Sequence, residues 1–119
     1  MSYANGNNYN YIEGTILRFY TREPFTSIDG IIVNPDNVTF TYEVQGQTPV
    51  TYQWVNPTGD PTQTIQNPDT GYFYCDIQTS DNAGTWTWQW ACFPSSGEDV
   101  TATEVINEGE VIVSISGIN

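Results

Sequence analysis

The stretch TGYFYCDIQTSDNAGTWTWQWACF, residues 70–93, decides the fold. Tryptophan occupies every second position at Trp86, Trp88 and Trp90, with Thr87 and Gln89 between. Successive side chains of a strand point to opposite faces, so the three indoles share one face. Upstream, Phe73, Cys75 and Ile77 alternate with Tyr74 and Asp76 in the same way. The residues between, TSDNAG at 79–84, are natural loop formers. The simplest reading is a hairpin in which Phe73 faces Trp90, Cys75 faces Trp88 and Ile77 faces Trp86. The indoles then meet apolar partners, which suits an inward face better than a binding platform. Three indoles in a row overfill a thin sandwich, so Trp86, next to the loop, is expected to be partly exposed.

Similar segments lie on both sides. GTILRFYT (14–21), NVTFTYEVQ (37–45), VTYQWV (50–55) and TQTIQ (62–66) read as strands, and the apolar triplet IIV (31–33) stands between turns. In the second of these, Val38, Phe40, Tyr42 and Val44 share one face, and Thr39, Thr41 and Glu43 the other. DVTATEVI (99–106) and EVIVSI (110–115) read as two closing strands parted by Asn107, Glu108 and Gly109. Pro and Gly punctuate every interval, and no stretch carries a helical apolar period. The pattern predicts an all-β fold, an immunoglobulin-like β-sandwich of about seven antiparallel strands. A small closed barrel is the second choice. The expected core is Val38, Phe40, Tyr42, Trp54, Phe73, Ile77, Trp88 and Trp90.

The first residues, MSYANGNNYNY, are polar and rich in asparagine. Residues 1–12 are read as a flexible N-terminal arm, and 13–119 as one domain. Tyr3, Tyr9 and Tyr11 are the candidate partner contacts, because tyrosines and amides suit adaptable packing. The arm lacks a basic start and an apolar run, so no signal peptide is expected. No segment approaches the length of a membrane span.

Fourteen acids face two bases, Arg18 and Arg22, with no lysine and no histidine, for a net charge of −12. Phosphate recognition needs clustered bases, so no nucleic-acid partner is expected, and anionic membranes are disfavoured for the same reason. The plain reading of the acids is solubility. The sharper one is an acidic face that meets a basic partner or divalent cations.

Catalysis through histidine is excluded, and a Ser or Cys nucleophile would lack its usual base. Two cysteines do not make a zinc site. The loop residues Asp60, Asp69, Asp81 and Asn82 have donors for calcium but no EF-hand spacing. No catalytic residue, cofactor or metal is therefore assigned. Cys75 and Cys92 read as buried free thiols. A tighter turn between the strands would instead bring them opposite each other.

Several motifs resemble small immunoglobulin-like structural proteins encoded among the head and tail genes of tailed bacteriophages. They are Gly14-Thr15-Ile16-Leu17-Arg18-Phe19, then Gly30 with Asn34-Pro35-Asp36-Asn37-Val38, then Pro57-Thr58-Gly59. The most specific are Thr70-Gly71-Tyr72 and Gly84-Thr85-Trp86 with Trp90. The similarity spans about residues 13–106. This chain departs from the pattern in lacking a residue between Gly71 and Tyr72, in Gln89 where an arginine is usual, and in having no lysine. The resemblance implies a non-enzymatic virion protein, made in the bacterial cytoplasm. It would attach to capsid, connector or tail subunits as a head decoration or neck component. The competing reading is a carbohydrate-binding or adhesion module that stacks exposed tryptophans on sugar rings.

Overall fold

Nine strands in two facing sheets make up the regular structure of the described residues. The computed structural model describes residues 2–4, 9–27, 29–93 and 104–114. In chain order the strands are β1 (Ser2–Ala4), β2 (Tyr9–Ile12), β3 (Ile16–Tyr20), β4 (Asn37–Val44) and β5 (Val50–Val55). They continue with β6 (Ile65–Asp69), β7 (Tyr72–Gln78), β8 (Gly84–Phe93) and β9 (Glu104–Ser114). One sheet runs β1-β3-β7-β6 and the other β2-β9-β8-β4-β5. No helix of the described residues is long and apolar enough to cross a membrane.

The connectivity is that of an immunoglobulin-like sandwich, with β3-β7-β6 as strands B-E-D and β9-β8-β4-β5 as G-F-C-C′. The expected count of about seven antiparallel strands rises to nine, because two N-terminal strands pair in parallel, β1 with β3 and β2 with β9. Both lie within the segment expected to be a flexible arm. Polar side chains did not prevent pairing there, because an open sheet edge offers backbone hydrogen bonds to any non-proline sequence. Tyr11, one of the expected partner contacts, is half-buried and packs against the core. Tyr3 sits opposite Arg18, and Tyr9 opposite Val111, in the backbone register. The side chains of Tyr3 and Tyr9 lie outside the described residues.

The hairpin expected over residues 70–93 does not form. β7 and β8 lie in opposite sheets. Cys75 pairs with Phe19 and Ile65, while Trp88 pairs with Tyr42 and Gly109. Each strand has one wholly apolar face. Stacking those faces across the sandwich buries both at once, whereas a hairpin would lay them side by side and leave them to be covered by a third layer. The linking loop is tied down at both ends. Thr79 is fully buried; its hydroxyl donates to Thr15 O (2.6 Å) and accepts from the Gly14 amide (3.0 Å). At the other end, the Trp86 indole N–H donates to Asn82 O at 2.8 Å.

That contact overturns the expectation for Trp86, which is 0% exposed because the loop folds over it. Its ring stacks on Tyr42 (4.9 Å, 11°). Immunoglobulin domains join strands B and F by a disulfide over a tryptophan on strand C, with a tyrosine two residues before the second cysteine bonding back to the backbone. Here aromatic rings occupy those places. Phe19 on β3 meets Trp88 on β8 edge-on at 5.6 Å and Phe40 on β4 at 5.1 Å. Trp86 stands in the corner position. Cys75 and Cys92 are buried and form no disulfide.

The indoles differ in one respect. Trp86 has a partner for its N–H, whereas the buried indole nitrogens of Trp88 and Trp90 have none. Trp86→Phe should therefore cost about 1 kcal/mol more than Trp90→Phe in urea unfolding, since both lose similar ring area and only the first loses a hydrogen bond. Equal losses would show that the corner bond contributes nothing.

The remaining expected core residues are buried, from Val38 and Phe40 at 0% to Trp54 at 7%; Tyr42 is half-buried and packs on them. Two other expectations shift. The Asn107-Glu108-Gly109 segment does not break the last strand, which is continuous with a register shift opposite Trp90 and Ala91. β9 is paired on both sides, by β2 and β8, and those ladders outweigh the turn preference of Asn and Gly. β6 begins later than expected, because Asp60 holds the preceding residues in a loop. Of the IIV triplet, Ile32 alone makes a bridge, to Thr26.

Candidate functional site

The alternation that buries Leu17 and Phe19 of β3 turns Arg18 and Tyr20 to the outer face of that sheet. On β7 the same rule buries Phe73, Cys75 and Ile77 and turns out Tyr72, Tyr74 and Asp76. The antiparallel register sets Arg18 opposite Asp76 and Tyr20 opposite Tyr74. Gln66 of β6 pairs with Tyr74, and Asp69 with Tyr72. Between those two pairs the β6 register shifts, and the irregularity carries Pro68. The result is an open cleft of about 540 Å³ lined by Arg18, Tyr20, Pro68, Asp69, Tyr72 and Tyr74, among others. It lies within the size range of ligand pockets.

Asparagine amides hold the β6 wall. Asn67 donates to Asp69 O (2.7 Å) and Tyr72 O (2.8 Å), spanning the turn. Its side chain also pairs reciprocally with that of Asn34 (3.1 and 3.2 Å), which accepts from the Gly71 amide at 2.7 Å. Gly71 has φ +81°, and a Cβ there would stand 2.7 Å from Ile32 and 3.1 Å from the Phe25 carbonyl. Only glycine fits that turn without strain. The Asn34-Pro35 and Thr70-Gly71-Tyr72 motifs are thus two sides of one contact.

Arg18 organises the middle of the face. Its guanidinium donates to both Asp76 oxygens, from Nε at 2.8 Å and Nη2 at 3.0 Å, and lies 3.9 Å from the centre of the Tyr74 ring. The two side chains are 26% and 31% exposed, so water screens the pair and it adds little to stability, about 0–1 kcal/mol. Its effect is geometric: a bidentate fork locks one arginine flat against one ring.

The loop acids are not gathered into one site. Asp60 is 8% exposed, and its carboxylate accepts from the Thr62, Thr64 and Ile65 amides. Asp69 accepts from the Thr70 amide. Asn82 gives its carbonyl to Trp86 and its side-chain oxygen to Gln47. Burial is the main cause holding the Cys75 thiol well above its ordinary range, with Asp60 and Asp76 adding to it, so Cys75 stays protonated. Burial, then the neighbouring Tyr52, pushes the Tyr42 phenol up to about 12.

The outer face was half visible in the sequence. Alternation alone turns Tyr20, Tyr72 and Tyr74 away from the core. Nothing in the sequence says that β3 and β7 are neighbours, because 51 residues of chain, 21–71, lie between them. No family model matches the chain, and no curated protein does. Among solved structures, the extracellular portion of mouse CD200RLa is similar with a TM-score of 0.42 and 12% identity, over 94% of this chain. The chain spans 56% of that structure's length. The immunoglobulin-like assignment stands on the strand order and register described above.

Proposed function

We propose that this immunoglobulin-like chain is a non-enzymatic structural protein of a bacteriophage particle, attaching to capsid, connector or tail subunits. One observation carries the preference over sugar stacking. All four tryptophans are buried, Trp54 at 7%, Trp86 at 0%, Trp88 at 3% and Trp90 at 0%, so the exposed tryptophan platform on which the sugar reading rested is missing. What remains outside is a tyrosine- and arginine-bearing face, and those residue types recur at protein contacts. The resemblance supports the same reading, because its motifs fall on structural joints: Gly71 in its tight turn and Trp86 in its corner.

Quantitative mass spectrometry of purified particles of the encoding phage tests it. Copies on the order of hundreds identify a head decoration or cement protein, and about six or twelve a neck or tail ring, following the symmetry of each lattice. Absence from the particle overturns the proposal.

A further inference from the structure

We infer that the cleft on the outer face of β3, β7 and β6 docks a basic segment of the partner protein, with an arginine or lysine side chain entering among Tyr20, Tyr72 and Tyr74. The inference rests on the attachment reading above and names the chemistry of the partner. Three observations carry it. Three tyrosines, Tyr20, Tyr72 and Tyr74, are among the residues lining the cleft, and the faces of their rings attract a cation. The face already holds one such contact, since Arg18 lies 3.9 Å from the Tyr74 ring centre. Two carboxylates stand beside them. Asp76 is matched by Arg18, while Asp69 lies at the rim with its backbone neighbour Thr70 as its short-range contact.

Charge then selects among occupants. Of the charged residues that line the cleft, Arg18 is matched by Asp76 beside it, which leaves the Asp69 carboxylate to meet an incoming cation. The whole chain carries −12, so the field around the cleft draws in cations and repels anionic ligands. A second copy of this chain, with the same −12, is a poor occupant. A basic segment gains on both counts. Its charge is steered in by the field, and its side chain is held by rings and a carboxylate rather than by charge alone. That is why binding should survive moderate salt better than diffuse surface attraction does.

The test titrates the full-length, isotope-labelled chain with a hexa-arginine peptide at about 150 mM salt, a condition that screens exposed charges. The expected result is amide shifts confined to Tyr20, Tyr72, Tyr74 and Asp69. Tyr72→Ala and Asp69→Asn should each weaken binding about tenfold. Asp81→Asn, in the loop at the far end of β7, removes the same charge and should leave affinity unchanged. Unaltered tryptophan fluorescence shows that each variant is folded. Shifts spread over all acidic loops, or equal losses in all three variants, overturn the inference in favour of non-specific attraction. Shifts at the cleft with maltohexaose, and none with the peptide, overturn it in favour of a sugar. The two proposals fail separately. Tyr72→Ala protein that still loads fully onto particles sinks the docking site and leaves the virion reading intact, whereas a peptide-binding protein absent from particles does the reverse.

Discussion

Phe19→Ala should lower the unfolding free energy by about 3–5 kcal/mol, the range for deleting a buried aromatic ring. Phe19 is 0% exposed and touches strands of the opposite sheet through three rings, Phe40 at 5.1 Å, Trp88 at 5.6 Å and Trp86 at 6.1 Å. It occupies the point where an immunoglobulin domain has its inter-sheet disulfide. With neither cysteine in a disulfide, ring packing joins the sheets here. Domains of this size hold about 5–15 kcal/mol in all, so the loss is a large share. Urea unfolding followed by tryptophan fluorescence measures it. Phe19→Leu, which keeps much of the volume, should cost less. A loss below about 1.5 kcal/mol for the alanine variant would mean that the neighbouring indoles collapse into the gap, and that the cross-sheet contact is dispensable.

Asp60→Ala should cost about 2–4 kcal/mol by a different route, stranded donors rather than a cavity. The carboxylate accepts from the Thr62 amide (2.6 Å) and hydroxyl (2.5 Å), the Thr64 amide (3.1 Å) and the Ile65 amide (2.6 Å). Ile65 is 2% exposed and is the first residue of β6, opposite Cys75. Without the acceptor, its amide has no nearby water to turn to. The start of β6 should loosen before the rest of the sandwich does. Hydrogen exchange reads this directly: the Ile65 amide should lose protection even under conditions where Phe40 and Trp90 keep theirs. Uniform loss at all three would show global destabilisation and no local anchoring role. Asp60→Asn keeps one acceptor oxygen and should fall between wild type and alanine.

Asp60 and Trp86 show why sequence reading stopped where it did. Asp60 sits between Gly59 and Pro61, and read as an ordinary turn acid with an outside chance of binding calcium. Its role depends on a loop that doubles back so that amides up to five residues later converge on one carboxylate. Side-chain type cannot express that convergence. Trp86 was placed next to a loop, which suggested exposure; the loop in fact closes over it because Thr79 ties the chain to β3's entry at Thr15.

The paired faces were legible throughout. Alternation alone separated Val38, Phe40 and Val44 from Thr39 and Glu43, and Phe73, Cys75 and Ile77 from Tyr74 and Asp76, and burial follows those divisions. This is local information, since a strand's period of two is a property of its own backbone. The all-β class, the immunoglobulin-like sandwich and the core positions named from alternation were therefore legible in the sequence itself, whereas Leu17, Phe19, Phe25 and Ile65 joined the core without being singled out and Trp86 was expected nearer the surface. Which strands become neighbours was not legible. Residues 70–93 read as a hairpin, yet two strands facing across a core bury the same side chains. Only the tertiary structure chose between them, since the choice depends on what else is available to cover each apolar face. That choice also made the cleft: once β7 lies beside β3 and β6, outward residues from three distant segments share one surface. A surface of that kind is a product of sheet order, and sheet order is settled by the competition of all strands for one core.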